Sequence, residues 1–359
     1  MKYRVLVVDD SAFMRKRIVE IIEENPKFNV VGIARNGVDA IEKIKYHRPD
    51  VVTMDVEMPQ MDGLTAVRTI MRECPAPIVM LSTQTGSGTA TTVEALSAGA
   101  IDCFAKDELL GEDNRGLRAD FLARLETAAT ANLGVKKPST KTGDVTPQRP
   151  PQPAKPLHEM NGPQFIKPRR ASALVIGCST GGPAALQSIL PNLPSDFPIP
   201  VLVVQHMPPG FTKSLAHRFD TLCRVPVKEA NDNEPFVRGT VYVAPAGWQT
   251  IFATERDGRV VMRVKDWPDP GVRFRPSVDV TLSSAAPIFR EGLLTVILTG
   301  MGNDGTEGSG QVRGMGGRVV VQSEETCVVY GMPKCVYEAG FANEQIPLQL
   351  MTEAILKYV

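Results

Sequence analysis

Twice along this chain, short apolar runs rich in β-branched residues alternate with segments of helical periodicity, and that alternation limits the fold more than any other feature. The first series is Val5–Val8, Val30–Ala34, Val51–Met54, Ile78–Leu81 and Ile101–Ala105. Between its first two runs, Met14, Ile18, Ile21 and Ile22 recur at i, i+4, i+7 and i+8, the spacing of one helix face. Five β–α units in succession predict a doubly wound five-stranded parallel sheet with helices on both faces over residues 1–128. The second series begins at Ala171: Leu174–Ile176, Val201–Val204, Val241–Val243, Val260–Val264, Leu294–Leu298 and Val319–Val321. Helical segments are expected near 183–190, 212–222, 278–289, 306–313 and 348–357. Residues 171–359 therefore read as a second doubly wound, Rossmann-like α/β domain with a β-rich insertion around 225–265. Between the two, residues 129–170 hold eight prolines (138, 147, 150, 151, 153, 156, 163 and 168) and almost no aliphatic periodicity. Such a stretch cannot bury a core and reads as a linker.

Bulk properties exclude several classes. Lys+Arg and Asp+Glu are 40 each, so no overall charge favours nucleic acid or a membrane surface. No apolar run reaches the roughly 18–20 residues that span a bilayer. Met1-Lys2-Tyr3-Arg4 leads into only four apolar residues, too few for a signal peptide. The six cysteines (74, 103, 178, 223, 327 and 335) are scattered without metal-ligand spacing. A cytoplasmic monomer with reduced thiols is the expectation.

In the first domain, Asp9 and Asp10 end the first run and Asp55 ends the third, at the strand edge where open α/β sheets bind ligands. Three carboxylates there repel unless a cation joins them, and an all-oxygen ligand set favours Mg²⁺. Ser82 and Lys106 end the fourth and fifth runs, bringing a hydroxyl and an ammonium to the same edge. A carboxylate flanked by Mg²⁺ and a lysine can accept a phosphoryl group as nucleophile. The segments "VVDDS", "MDVEMPQMDG", "VMLS" and "FAKD" resemble the response-regulator receiver family across residues 1–128. The resemblance implies that Asp55 is the phosphoacceptor, that Asp10, Asp55 and the Glu57 carbonyl bind Mg²⁺, and that Asp9 assists. Ser82 would be the switch hydroxyl and Lys106 the phosphate-binding lysine. Asp107 stands where the family usually has a proline, which puts the usual cis peptide there in doubt.

In the second domain, Gly177-Cys178-Ser179-Thr180-Gly181 has the G-x-S-x-G spacing of a nucleophile turn between strand and helix. A serine nucleophile needs a base, and of the four histidines (47, 158, 206 and 217) only His206 ends a strand run of this domain, "VLVVQH". A third run ends in a glycine-rich turn carrying Asp304, which supplies an acid to orient the imidazole. The same turn, Gly300 to Gly305, also fits a dinucleotide-binding G-x-G-x-x-G, with Glu324 ending the next run. A carboxylate inside a pyrophosphate cradle would be repelled, which disfavours that reading. "VIGCSTGGPAAL", "VVQHM" and "ILTGMGNDG" resemble the catalytic domain of chemotaxis protein-glutamate methylesterases. That resemblance implies hydrolysis of glutamate γ-methyl esters on chemoreceptors, with deamidation of glutamines, under control of a chemotaxis histidine kinase as phosphodonor. It places the nucleophile, base and acid on Ser179, His206 and Asp304, and oxyanion-stabilising or site-lining positions on Thr180 and the Met301 N–H. No cofactor is expected for hydrolysis. Phe274 stands where the family commonly has histidine. The competing reading is a phosphorylation-dependent binding module that sequesters a kinase or receptor through a degenerate esterase domain.

Overall fold

The computed structural model describes residues 2–83, 86–110, 115–133, 170–267, 269 and 271–359. The first domain runs β1 (Tyr3–Val8), α1 (Ala12–Glu23), β2 (Phe28–Ala34), α2 (Gly37–His47), β3 (Val51–Asp55), α3 (Gly63–Glu73), β4 (Ile78–Ser82), α4 (Gly86–Ser97), β5 (Asp102–Ala105), α5 (Lys106–Leu110) and α6 (Arg115–Ala129). Its five strands are all parallel, in the order β2-β1-β3-β4-β5. The central strands are buried on both faces, so they read as unbroken apolar runs instead of alternating ones. Three helices start on a side chain that accepts from the third residue of the helix: Ser11 from Met14 N–H, Asn36 from Asp39 N–H, and Asp62 from Thr65 N–H. Each such cap is worth about 1 kcal/mol. On α1 the residues that reach the core are Met14, Ile18, Ile21 and Ile22, as their spacing predicts.

The second domain runs β6 (Ala173–Cys178), α7 (Gly182–Ile189), β7 (Val201–Gln205), α8 (Phe211–Asp220), β8 (Val227–Glu229), β9 (Glu234–Pro235), β10 (Val241–Val243), β11 (Gln249–Thr254), β12 (Val260–Lys265), α9 (Val278–Phe289), β13 (Leu293–Ile297), α10 (Thr306–Gly314), β14 (Arg318–Gln322), α11 (Met332–Glu338), β15 (Glu344–Ile346) and α12 (Met351–Lys357). Seven strands form one parallel sheet, β15-β14-β13-β6-β7-β10-β8. Only β9, β11 and β12 form the antiparallel insertion. The β-rich segment around 225–265 is therefore split: β8 and β10 extend the main sheet, and the rest folds over it. The short strands β8 and β15 and the helix α11 have no periodic signature of their own in the sequence.

The two domains pack together. Helix α4 lies against α7 and α8, where Thr89 and Ser214 hydroxyls hydrogen-bond at 2.9 Å. Val328 packs against the apolar cluster of the first domain. Most of the expected linker, residues 134–169, lies outside the described residues. Its beginning does not hang free, because the Asn132 N–H donates to the Val328 carbonyl at 3.0 Å.

Candidate functional site

Both sheets reverse strand order beside the strand that opens them, and their chemically active side chains gather at those two places. In the first domain, Asp9, Asp10 and Asp55 offer carboxylate oxygens within 4.8 Å of one another. Asp9 and Asp55 are buried and Asp10 is exposed. The Lys106 ammonium lies 2.8 Å from Asp9 Oδ2 and 2.6 Å from Asp55 Oδ2. One cation against three acids leaves the cluster short of positive charge, and its all-oxygen donors suit a hard divalent ion. Burial pushes the Asp55 carboxyl up to about 6, with Lys106 pulling it down and the charge of Asp9 pushing it further up. Glu57 is exposed two residues beyond Asp55. The Ser82 hydroxyl donates to the Thr83 carbonyl at 3.0 Å. Asp107 does not disturb the strand end: α5 starts at Lys106, and among the described residues the only cis peptide is Arg275–Pro276.

In the second domain, Ser179, His206 and Asp304 follow β6, β7 and β13, three neighbouring strands, and each is nearly buried. His206 Nε2 lies 2.8 Å from Asp304 Oδ2. His206 Nδ1 is buried and makes no hydrogen bond. Asp304 accepts three further bonds at the start of α9: from Ser277 Oγ at 2.8 Å, Val278 N–H at 2.6 Å and Asp279 N–H at 3.0 Å. Burial alone would raise this carboxyl, but His206 and the N–H groups of Asp279 and Val278 outweigh it and hold it at about 2. The helix N-terminus favours the same anion. Asp304 thus stays ionised and accepts a hydrogen bond from Nε2–H, which leaves Nδ1 as the ring's acceptor.

Gln205 ties the Ser179 and His206 backbones together, a role its sequence position alone does not reveal. Its Nε2 donates to the carbonyls of Ser179 at 3.0 Å and His206 at 2.9 Å, and its Oε1 accepts from the Cys178 thiol at 3.0 Å. A Cβ at Gly182 would stand 2.1 Å from that Oε1, so a side chain there would push the Gln205 amide out of these bonds. Burial pushes the Cys178 thiol up, away from thiolate formation. Gly300 is equally constrained, since a Cβ there would come within 2.8 Å of Ser179 Cβ. The turn that carries Met301 and Asp304 therefore lies directly on Ser179. Phe274 stacks on the His206 ring with centroids 4.2 Å apart and 8° between planes. His217 is exposed in the last turn of α8.

The first domain closes over this site. Thr180 Oγ1 donates to Asp102 Oδ2 at 2.6 Å, and the Gly181 N–H donates to the Ile101 carbonyl at 2.8 Å. Asp102 is paired to Arg124, Arg124 to Asp120, and Asp120 to Arg273 of the second domain at 2.7 Å. The Thr127 hydroxyl donates to Met301 Sδ. A cavity of about 580 Å³ beside His206 is walled by Phe104, Leu117, Asp120 and Arg124 from the first domain. Sequence patterns gave no sign of Asp102, Asp120, Arg124 or Arg273, because their importance lies in contacts between distant segments.

Both domains match known proteins. Residues 174–355 match the family model described as CheB methylesterase, and residues 5–112 match the response regulator receiver domain. A curated relative from Symbiobacterium thermophilum, a protein-glutamate methylesterase/protein-glutamine glutaminase, is 44% identical over 99% of this chain and 97% of its own length. A relative of the same name from Thermotoga maritima is 41% identical over 99% of this chain and 98% of its own. The solved CheB methylesterase catalytic domain of Thermotoga maritima superposes with a TM-score of 0.51 at 46% identity, covering 53% of this chain and 99% of that one. No helix among the described residues is long and apolar enough to cross a membrane.

Proposed function

Since this chain belongs to the CheB methylesterase family and carries a receiver domain ahead of the catalytic one, we propose that Ser179, His206 and Asp304 hydrolyse glutamate γ-methyl esters and glutamine amides on chemoreceptors, under the control of phosphorylation at Asp55. The protein is a protein-glutamate methylesterase and glutaminase by family, which leaves the rival reading of a degenerate, purely binding module without support. The observation that carries the residue assignment is His206 itself: one nitrogen locked on an ionised carboxylate, the other buried and unbonded at the sheet edge of Ser179. His206 Nδ1 takes the Ser179 proton as Oγ attacks the γ-carbonyl. Backbone N–H groups at the start of α7 and at Met301, with the Thr180 hydroxyl, stabilise the oxyanion. The His206 proton then passes to the leaving methoxide or amide nitrogen, and water releases the acyl-enzyme by the same route reversed.

Asp9, Asp10 and Asp55, with the Glu57 carbonyl, would hold Mg²⁺, which when bound offsets charge on a phosphoryl group arriving from a histidine kinase. Lys106 would neutralise the remaining charge and Ser82 would turn inward to it. Strand β5 is only four residues long, with Lys106 at one end and the Asp102 that grips Thr180 at the other. A rearrangement at the phosphorylated end reaches the esterase turn through that strand and shifts the population towards an uncovered site. The protein would work in the cytoplasm as a monomer, with domains at 1–128 and 171–359 joined by the 129–170 linker.

The test is methanol release from methylated receptor. Ser179→Ala should lose nearly all of it, and near-wild-type turnover would refute the assignment. Chelator should abolish phosphodonor labelling while leaving hydrolysis by the unphosphorylated enzyme unchanged; a chelator-sensitive resting rate would point to a catalytic metal.

A further inference from the structure

Arg273 has a surplus charge that the esterase reaction does not require. A methyl ester and an amide are neutral, and the oxyanion lies with Ser179 and the backbone donors. Yet a guanidinium whose side chain is 60% exposed stands at the mouth, beside the cavity of His206 and Phe274 and beside a second cavity lined by Ser277, Met301 and Asp304. It lies 5.4 Å above the Phe274 ring, which in turn stacks on His206. Among the described residues its only ion pair is Asp120, and Asp120 belongs to the receiver domain. Arg275, two residues on, is satisfied within its own domain by Asp266 and the Trp267 carbonyl. Uncovering the site therefore strips Arg273, and not Arg275, of its carboxylate.

Resting on the esterase reading above, we propose that Arg273 is a specificity residue that binds a carboxylate flanking the target ester, so that the enzyme prefers acidic protein segments. Asp120 occupies that place when the receiver covers the site. The other receiver groups at the mouth fit the same role: a peptide carbonyl from Ile101 on the Gly181 N–H and a second carboxylate from Asp102 on the Thr180 hydroxyl. These are the groups an acidic peptide presents, offered without an ester. A planar guanidinium suits the task because it grips a carboxylate through paired N–H donors.

The experiment uses synthetic peptides carrying one γ-methyl glutamate in a neutral sequence, with a single Glu or Ala scanned through the four positions on either side. Each Glu peptide competes with its Ala counterpart in one reaction with the full-length enzyme. The ratio of their kcat/KM values is independent of the fraction of enzyme that is uncovered, so effects on autoinhibition cancel. Wild type should prefer Glu by about five-fold at the best position, the upper range of a half-exposed ion pair, and the preference should shrink at high salt. Arg273→Ala should bring the ratio to about one, and Arg273→Lys should keep part of it. Asp120→Ala should raise both rates and leave the ratio unchanged. A wild-type ratio of one at every position, or a full preference surviving in Arg273→Ala, would overturn the proposal. Failure of wild type to hydrolyse any of the ester peptides, with activity on methylated receptor intact, would instead show that recognition needs more than a flanking carboxylate and would overturn it too. Loss of activity on receptor as well would bring down the esterase reading itself.

Discussion

Asp55 and Asp304 are two buried aspartates at equivalent edges of two parallel sheets, and they titrate in opposite directions. Asp55 is pushed up to about 6 and Asp304 is held at about 2. Burial is the largest influence on both, so the difference lies in the partners. Asp304 has two N–H groups, a hydroxyl and an imidazole to bond, at the positive end of a helix. Asp55 has one N–H, from Val56, and one lysine that it shares with Asp9, whose own charge repels it. A carboxylate with its acceptor sites filled serves as a fixed charge that orients a neighbour. One left short of donors is suited to bind a cation and to attack phosphorus.

The sharpest way to break this contrast is to neutralise each acid in turn. Asp304→Asn should lower methanol release by about 10³–10⁴-fold, because the amide cannot both accept from α9 and hold the imidazole in the productive tautomer. Asp55→Asn should keep the resting rate within about two-fold and lose all stimulation by a small phosphodonor. Initial rates with and without donor decide it. If Asp55→Asn matched the loss in Asp304→Asn, the two sites would not be separable in the way their wiring implies.

A smaller effect probes the contact that joins them. The Thr180–Asp102 bond is charge-assisted and part of the cover over Ser179. Asp102→Ala should raise resting hydrolysis about five- to ten-fold, and the gain from phosphodonor should fall by a similar factor. Helix α6 keeps its buried Phe121, Leu125 and Ala128 in the core of the first domain in that variant, so it stays anchored. A resting rate equal to wild type would mean that Asp102 holds no part of the closed population.

The same contrast explains what could be read from sequence. Strand-end residues were legible because a parallel strand buried on both faces is a continuous apolar run with a sharp end, and Asp9, Asp55, Ser179 and His206 each stand at such an end. Asp304 was legible as the acid after its strand, but not its three donors, since Ser277 and α9 reach it from 25 or more residues away in the chain. Gln205 looked like the polar end of "VVQH"; only the fold brings its amide to both the Ser179 and His206 carbonyls. Strands β8 and β15 were hidden because Val-Lys-Glu and Glu-Gln-Ile are not apolar runs, whereas the equally short Val241–Val243 is one. The receiver's grip on the esterase, through Ile101, Asp102 and Asp120, was invisible for a different reason: each residue is unremarkable in its own domain, and its role exists only where two separately folded surfaces meet.

The smallest expected effect sharpens the comparison within a single helix terminus. Asp279 sits next to the α9 N–H groups that serve Asp304, accepts from the Gly308 N–H at 2.7 Å, and is pushed up to about 6 by burial, with the charge of Asp304 adding to the rise. Its folded-state pKa lies above the ordinary 3.8, so its protonated form is the one the fold favours. Its contribution to stability is therefore fully present below about pH 4 and is lost as pH rises through 6. Asp279→Asn keeps an acceptor for Gly308 and removes the titration. The full shift would correspond to about 3 kcal/mol, and partial exposure of the side chain reduces this to about 1 kcal/mol. The variant should match wild type at pH 4 and melt about 2–4 °C higher at pH 8. Thermal midpoints across that range measure it. An equal difference at both pH values would trace the effect to packing, and no difference at pH 8 would mean that Asp304 and Asp279 share the helix end without competing for it.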